Sequence, residues 1–127
     1  MIWREQPCYR AIVAVDAVNS TARTDMEKAE LRRRLYEIFE DALYGAGIGE
    51  SSRDALIDRG DGILTLIDPA VPKTVLLNEV VPTLGERLAE VAGLRLRTIV
   101  HAGEVLYDRR GVFGESVDLT FRLLEAP

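Results

Sequence analysis

Ala55-Leu56-Ile57-Asp58-Arg59-Gly60-Asp61-Gly62-Ile63-Leu64-Thr65-Leu66-Ile67 decides the fold. Two apolar runs flank a Gly-Asp-Gly turn, and glycine enters the left-handed conformations of a tight hairpin at little cost. The runs are therefore expected to be adjacent antiparallel strands. A doubly wound, receiver-like sheet would need parallel strands with a helix between each pair, so the tight turn speaks against it. Asp68-Pro69 ends the hairpin.

Toward the N-terminus, residues 9 to 16 contain the continuous apolar run Ala11-Ile12-Val13-Ala14-Val15, closed by Asp16. A run that is apolar throughout, and too short for a helix, reads as a strand buried on both faces. Helices should cover both faces, or a helix layer and a partner subunit. Thr24-Asp25-Met26-Glu27 matches a capping box. Leu31, Leu35, Ile38, Phe39 and Ala42 then recur at helical spacing until Gly45-Ala46-Gly47 stops the pattern.

Toward the C-terminus, Pro72 suits the first turn of a second helix, whose apolar face is Val75, Leu76, Val80, Leu84, Leu88 and Val91. Pro82 must kink or divide that helix. Leu94 to Val100 reads as a strand ending near His101, followed by a separate hairpin of Val105 to Tyr107 and Val112-Phe113 around Asp108-Arg109-Arg110-Gly111. Ser116 is the expected cap of a last helix carrying Asp118 and Arg122. The order predicts one α+β domain over residues 1–127, a ferredoxin-like βαββαβ sheet that is mostly antiparallel.

The composition fits this. Hydrophobic content of 47% and charged content of 29% are ordinary for a globular core. A net charge of −5 argues against a general nucleic-acid surface, because phosphate binding needs clustered cations. The one basic run, Arg32-Arg33-Arg34, lies within a helical pattern and reads as a solvated face. The single cysteine, Cys8, just before the first strand, cannot form an internal disulfide and reads as a packing residue. The start of the chain lacks a signal core, and no stretch approaches the ~20 apolar residues of a membrane helix. A soluble, cytoplasmic protein without a membrane partner is the expectation.

Two carboxylates carry the candidate chemistry. Asp16 ends the first strand and Asp61 sits in the hairpin turn. Taken singly, Asp61 is a turn residue and Asp16 a loop or capping aspartate. If their strands are neighbours, two negative charges converge and call for a divalent cation between them. His101 reads as a hydrogen-bonded core histidine, and Arg122 alone as a surface charge. No phosphate-binding Gly-x-x-x-x-Gly-Lys run, no Gly-x-Ser-x-Gly elbow and no zinc-finger ligand set is present.

Three segments together resemble the catalytic domain of class III nucleotidyl cyclases. Ala14-Val15-Asp16-Ala17-Val18-Asn19-Ser20-Thr21 is similar to that family's strand-ending aspartate and phosphate-cradling turn, and Asp58-Arg59-Gly60-Asp61-Gly62 to its Gly-Asp hairpin. Thr98-Ile99-Val100-His101-Ala102-Gly103-Glu104-Val105, leading to Phe113-Gly114-Glu115-Ser116-Val117-Asp118-Leu119-Thr120-Phe121-Arg122, resembles its His-x-Gly-Glu-Val strand and Gly-x-x-Val-Asn-x-x-x-Arg helix.

The resemblance implies that Asp16 and Asp61 hold two Mg²⁺ or Mn²⁺ ions, with the Ala17 carbonyl as auxiliary ligand. Backbone around Ser20 and Thr21 would receive a nucleoside triphosphate, as successive N–H groups before a helix can. Arg122 would stabilise charge at the attacked α-phosphate, acting across a head-to-tail homodimer on nucleotide held by the partner. Asp118 stands at the ribose-orienting position, where the family carries asparagine. Ile57 stands where purine-selective members carry lysine, and Gly111 where they carry the base-reading aspartate, so the base is unassigned. The chain stops at Pro127, short of the strand that supplies the family's triphosphate-binding lysine; Arg59, Arg109 or Arg110 are the available substitutes. Three readings follow, the first an active cyclase and the second a catalytically degenerate cyclase-fold module for nucleotide sensing or dimerisation. A different ferredoxin-like binding module is the third.

Overall fold

The computed structural model describes residues 6–18, 23–91 and 95–126. Its elements follow in the order β1 (Cys8–Ala17), α1 (Asp25–Gly45), a short 3₁₀ turn (Glu50–Ser52), β2 (Ile57–Asp58), β3 (Gly62–Ile67), α2 (Lys73–Val75), a π-helical stretch (Leu76–Val80), α3 (Val81–Ala89), β4 (Leu96–Asp108), β5 (Gly111–Phe113) and α4 (Glu115–Glu125). The five strands form one sheet in the order β2-β3-β1-β4-β5. Every pairing is antiparallel. The first four strands thus have the ferredoxin-like arrangement, extended at one edge by β5.

β1 lies at the centre, and its apolar run is divided between two cores. Ala11, Val13, Val15 and Ala17 join Leu35, Phe39, Ile63, Ile67, Leu76 and Leu84 beneath α1 and α3. Ile12 and Ala14 face the other way and join Leu64, Leu66, Val105, Val117 and Leu124 beneath α4. Alternate residues point to opposite faces of a strand, so one continuous run serves both layers. Buried Thr65 and Thr120 are satisfied by donating to the carbonyls of Asp54 and Ser116.

The helix ends follow their local chemistry. Thr24 caps α1 with a reciprocal capping box to Glu27. Gly47, with φ of 81°, takes the left-handed conformation just beyond its end. Pro72 occupies the cap of α2 rather than its first turn. Pro82 divides the second helical region as its chemistry requires, since it lacks an N–H and its ring excludes the carbonyl four residues back. The turn before it widens, and the Val81 N–H donates to the Leu76 carbonyl five residues earlier.

Four expectations are corrected. Leu96 to Asp108 is one strand, so no break occurs at His101 and Val105 to Tyr107 continue the same ladder against β1 and β5. The long pairing with β1 carries this strand through Gly103. The β2 strand is only Ile57–Asp58, shifted toward the turn from Ala55 to Ile57. Cys8 lies inside β1. Gly114, not Ser116, is the cap of α4, with no side-chain cap bond. Gly114 has φ of 128°, and Ser116 is already helical.

Candidate active site

Asp16 is the penultimate residue of β1, and Asp61 immediately precedes β3. The antiparallel register sets Asp16 opposite Gly62 on one side and opposite Arg97 on the other. The Ala17 N–H donates to the Asp61 carbonyl at 2.8 Å, which ties the turn to the end of β1. Gly62 permits that approach. A Cβ there would stand 2.4 Å from the Val15 carbonyl oxygen and 2.8 Å from Asp16 Oδ1.

The result is a carboxyl pair in which Asp16 and Asp61 are hydrogen-bonded to each other. Partial burial, then the hydrogen bond and the charge of Asp61, push the Asp16 carboxyl up to about 6. Arg59 and Arg97 pull it the other way. Below about pH 6 the two carboxyls therefore keep one proton between them. Among the described residues no group of three or more His, Cys, Asp or Glu is arranged for a metal, so of these residues the pair alone offers carboxylates at this point.

Both arginines reach this end of the sheet from well-fixed positions. The Arg59 guanidinium lies 3.9 Å from the centroid of the Phe121 ring and 3.7 Å from the Glu125 carboxylate. Arg97 donates to the Leu124 carbonyl at 2.8 Å and to the Ala126 carbonyl. The C-terminal turn of α4 is thereby fastened beside the carboxyl pair. Arg97 was missed in the sequence; the alternation Arg95-Leu96-Arg97 marks one face, but only the register against β1 shows that Asp16 lies opposite.

Asp58, three residues before Asp61, is turned away toward α1. Its carboxylate accepts from the Arg32 guanidinium, from the Tyr36 hydroxyl at 2.7 Å and from the Gly60 N–H at 2.7 Å. These bonds, Arg32 first, hold it well below the usual carboxylate range. The basic run on α1 is accordingly split. Arg33 pairs with Glu30 and Glu37 on the solvated face, while Arg32 belongs to the turn.

Asp118 and Arg122 lie one helical turn apart on α4 and open onto a different cleft. That cleft, about 670 Å³, is lined by His101, Glu115, Ser116, Asp118, Leu119 and Arg122. His101 is half-buried in its wall rather than enclosed in the core. The start of α4 sits directly on β4, since a Cβ on Gly103 would stand 2.2 Å from Ser116 Oγ. Asp16 and Asp61 do not line this cleft.

The remaining candidates are dispersed. Ile57 is on edge strand β2 and packs against the α4-side core, whereas Gly111 begins the opposite edge strand β5 with φ of 138°. Ala17 is buried beside the carboxyl pair. Ser20 and Thr21 lie outside the described residues. Arg109 and Arg110 are exposed in the β4–β5 turn.

No family model and no curated protein matches the sequence. Solved structures do match the fold. The guanylyl cyclase Cya2 superposes with a TM-score of 0.67 at 21% identity, covering 94% of this chain and 71% of its own. The catalytic core of a rhodopsin-guanylyl cyclase with converted specificity, in complex with ATPαS, gives a TM-score of 0.71 at 14% identity, covering 93% and 71%. An adenylate/guanylate cyclase/hydrolase from Silicibacter pomeroyi gives 0.65 at 21%, covering 94% and 70%. The chain therefore has the fold of adenylate and guanylate cyclase catalytic domains. No helix among the described residues is long and apolar enough to cross a membrane.

Proposed function

We propose that this chain is a nucleotidyl cyclase domain that converts a nucleoside triphosphate to a 3′,5′-cyclic nucleotide and pyrophosphate at a homodimer interface. The observation that carries the reading is the hydrogen-bonded Asp16–Asp61 pair, held at the rim of a cyclase-type sheet by chain segments far apart in sequence. The donors fit a hard divalent ion, because two adjacent carboxyls, one keeping its proton to about pH 6, gain most from a cation between them. Bound there, Mg²⁺ or Mn²⁺ would polarise phosphoryl oxygens and neutralise developing charge.

The protein's own residues support the rest of the chemistry. Arg59 and Arg97 offset the negative charge of the pair and provide cations beside which a polyphosphate can rest. Asp118 keeps an acceptor for a ribose hydroxyl, although unlike asparagine it offers no donor. Arg122 is exposed at the mouth of its cleft and free to reach toward another protomer's substrate.

The degenerate reading also has support. Gly111 occupies a backbone conformation that residues with side chains rarely adopt, so base readout from this position is not recovered by one substitution. Ile57 is half-buried and packs against the apolar core beneath α4.

Incubation with each of the four ribonucleoside triphosphates and Mn²⁺, followed by mass spectrometry, decides between them. A cyclic product that vanishes in Asp16→Ala supports catalysis. Metal-dependent nucleotide binding without product supports the sensor, and absence of both rejects the cyclase-type site.

A further inference from the structure

We propose that Arg32, tethered by Asp58, is a positioning residue that fixes the Gly60–Asp61 turn and thereby sets the Asp16–Asp61 carboxyl pair. The inference rests on the metal-binding reading above and goes beyond it to a device on α1. Arg32 donates to both carboxylate oxygens of Asp58 and to the Gly60 carbonyl. Asp58 in turn accepts from the Gly60 N–H, and the Arg59 N–H donates to the Gly62 carbonyl at 2.8 Å. Gly60, with φ of 80°, is the most pliable residue of the turn, and it is held at its N–H through Asp58 and at its carbonyl by Arg32. The next residue is Asp61.

The planar guanidinium matters here. It engages a carboxylate through two nitrogens and still reaches a carbonyl, which a lysine ammonium cannot reproduce in the same geometry. Tyr36, one turn further along α1, adds a hydroxyl to the same carboxylate. The clamp also keeps Asp58 occupied, so that of the two acidic side chains in this turn only Asp61 is presented to Asp16.

Charge and position make opposite predictions, which renders the idea testable. Arg32 is a cation bonded to the residue before Asp61, and its removal would leave the Asp58 carboxylate without its cationic partner, so by Coulomb attraction alone removal should tighten Mn²⁺ binding. If it positions Asp61, removal should weaken binding, on the order of 10-fold as for other groups that orient metal ligands. Mn²⁺ is titrated into the full chain at pH 7.5 and the free ion followed by electron paramagnetic resonance, with melting temperature measured alongside.

Arg32→Ala is expected to weaken Mn²⁺ about 10-fold, Arg32→Lys to recover part of the loss, and Arg33→Ala, on the same helix, to bind like wild type. Tyr36→Phe preserves every charge and should shift binding in the same direction as Arg32→Ala, which decides the matter should that variant not fold. Unchanged or tighter binding in Arg32→Ala, with binding lost in Asp16→Ala, overturns the clamp and leaves the metal site standing. Failure of wild type to bind Mn²⁺ overturns both.

Discussion

The Asp16–Asp61 pair should make the metal-free protein less stable as pH rises, opposite to the behaviour of a salt-bridged carboxylate. Asp16 titrates near 6 in the folded chain against an ordinary 3.8, so between these values the folded state binds the extra proton. Stability therefore falls as pH rises through about 4 to 6 and is level above that range. The displacement corresponds to about 3 kcal/mol at 1.36 kcal/mol per pH unit. Because Asp16 is only partly buried, solvent screening reduces the expected share to about 1–2 kcal/mol. Asp16→Asn removes the titration while keeping the shape. By urea denaturation it should exceed wild type by about 1–2 kcal/mol at pH 7.5, with the gap closing toward pH 4. Mn²⁺ at about 100 times its dissociation constant should add about 2.7 kcal/mol to wild type and nothing to the variant. Parallel stability curves across this range, or a variant less stable at pH 7.5, would refute the coupling of the two carboxyls.

Gly62→Ala forces a methyl against the Val15 carbonyl and Asp16 Oδ1, so it should cost about 1–3 kcal/mol in denaturation and abolish metal binding even where the fold survives. Arg59→Ala removes the contact with Phe121 and the pairing with Glu125; a loss of about 1 kcal/mol is expected, together with weaker triphosphate affinity in calorimetry. Mixing inactive Asp16→Ala with inactive Arg122→Ala should restore about a quarter of wild-type product formation, because half of randomly paired dimers contain one intact shared site. No recovery on mixing would refute a shared site.

Much of this architecture was legible because single residues have strong local consequences. Thr24 and Glu27 mark the start of α1, Pro82 divides the second helical region, and Gly60-Asp61-Gly62 forces a hairpin. The proximity of Asp16 and Asp61 is conditional in the sequence on β1 and β3 being neighbours, and the pairing of these strands meets that condition. Other features depend on register, which composition does not encode. Nothing local in Leu96 to Asp108 shows that the strand continues through Gly103; the long pairing with β1 imposes it. Arg97 beside Asp16 and Arg32 beside Asp58 are likewise tertiary facts, one read across two strands and the other between a helix and a turn. A basic triplet offers no local clue that its first member differs from the second.

The position of α4 keeps Arg122 and the Asp16–Asp61 pair apart within one chain. Its C-terminal turn is held beside the carboxyl pair by Arg59 on Phe121 and by Arg97 on the last carbonyls. Its N-terminal half is pressed onto β4 at Gly103, where Ser116 leaves no room for a Cβ. Fixed at both ends, the helix cannot swing Arg122 from its cleft with His101 onto Asp16 and Asp61 without breaking both attachments. This separation is the structural reason for proposing a shared site, since a head-to-tail pair would bring Arg122 of one copy to the carboxyl pair of the other with no internal rearrangement. The turn carrying Asp61 is itself tied to β1 through the Ala17 N–H and to α1 through Arg32.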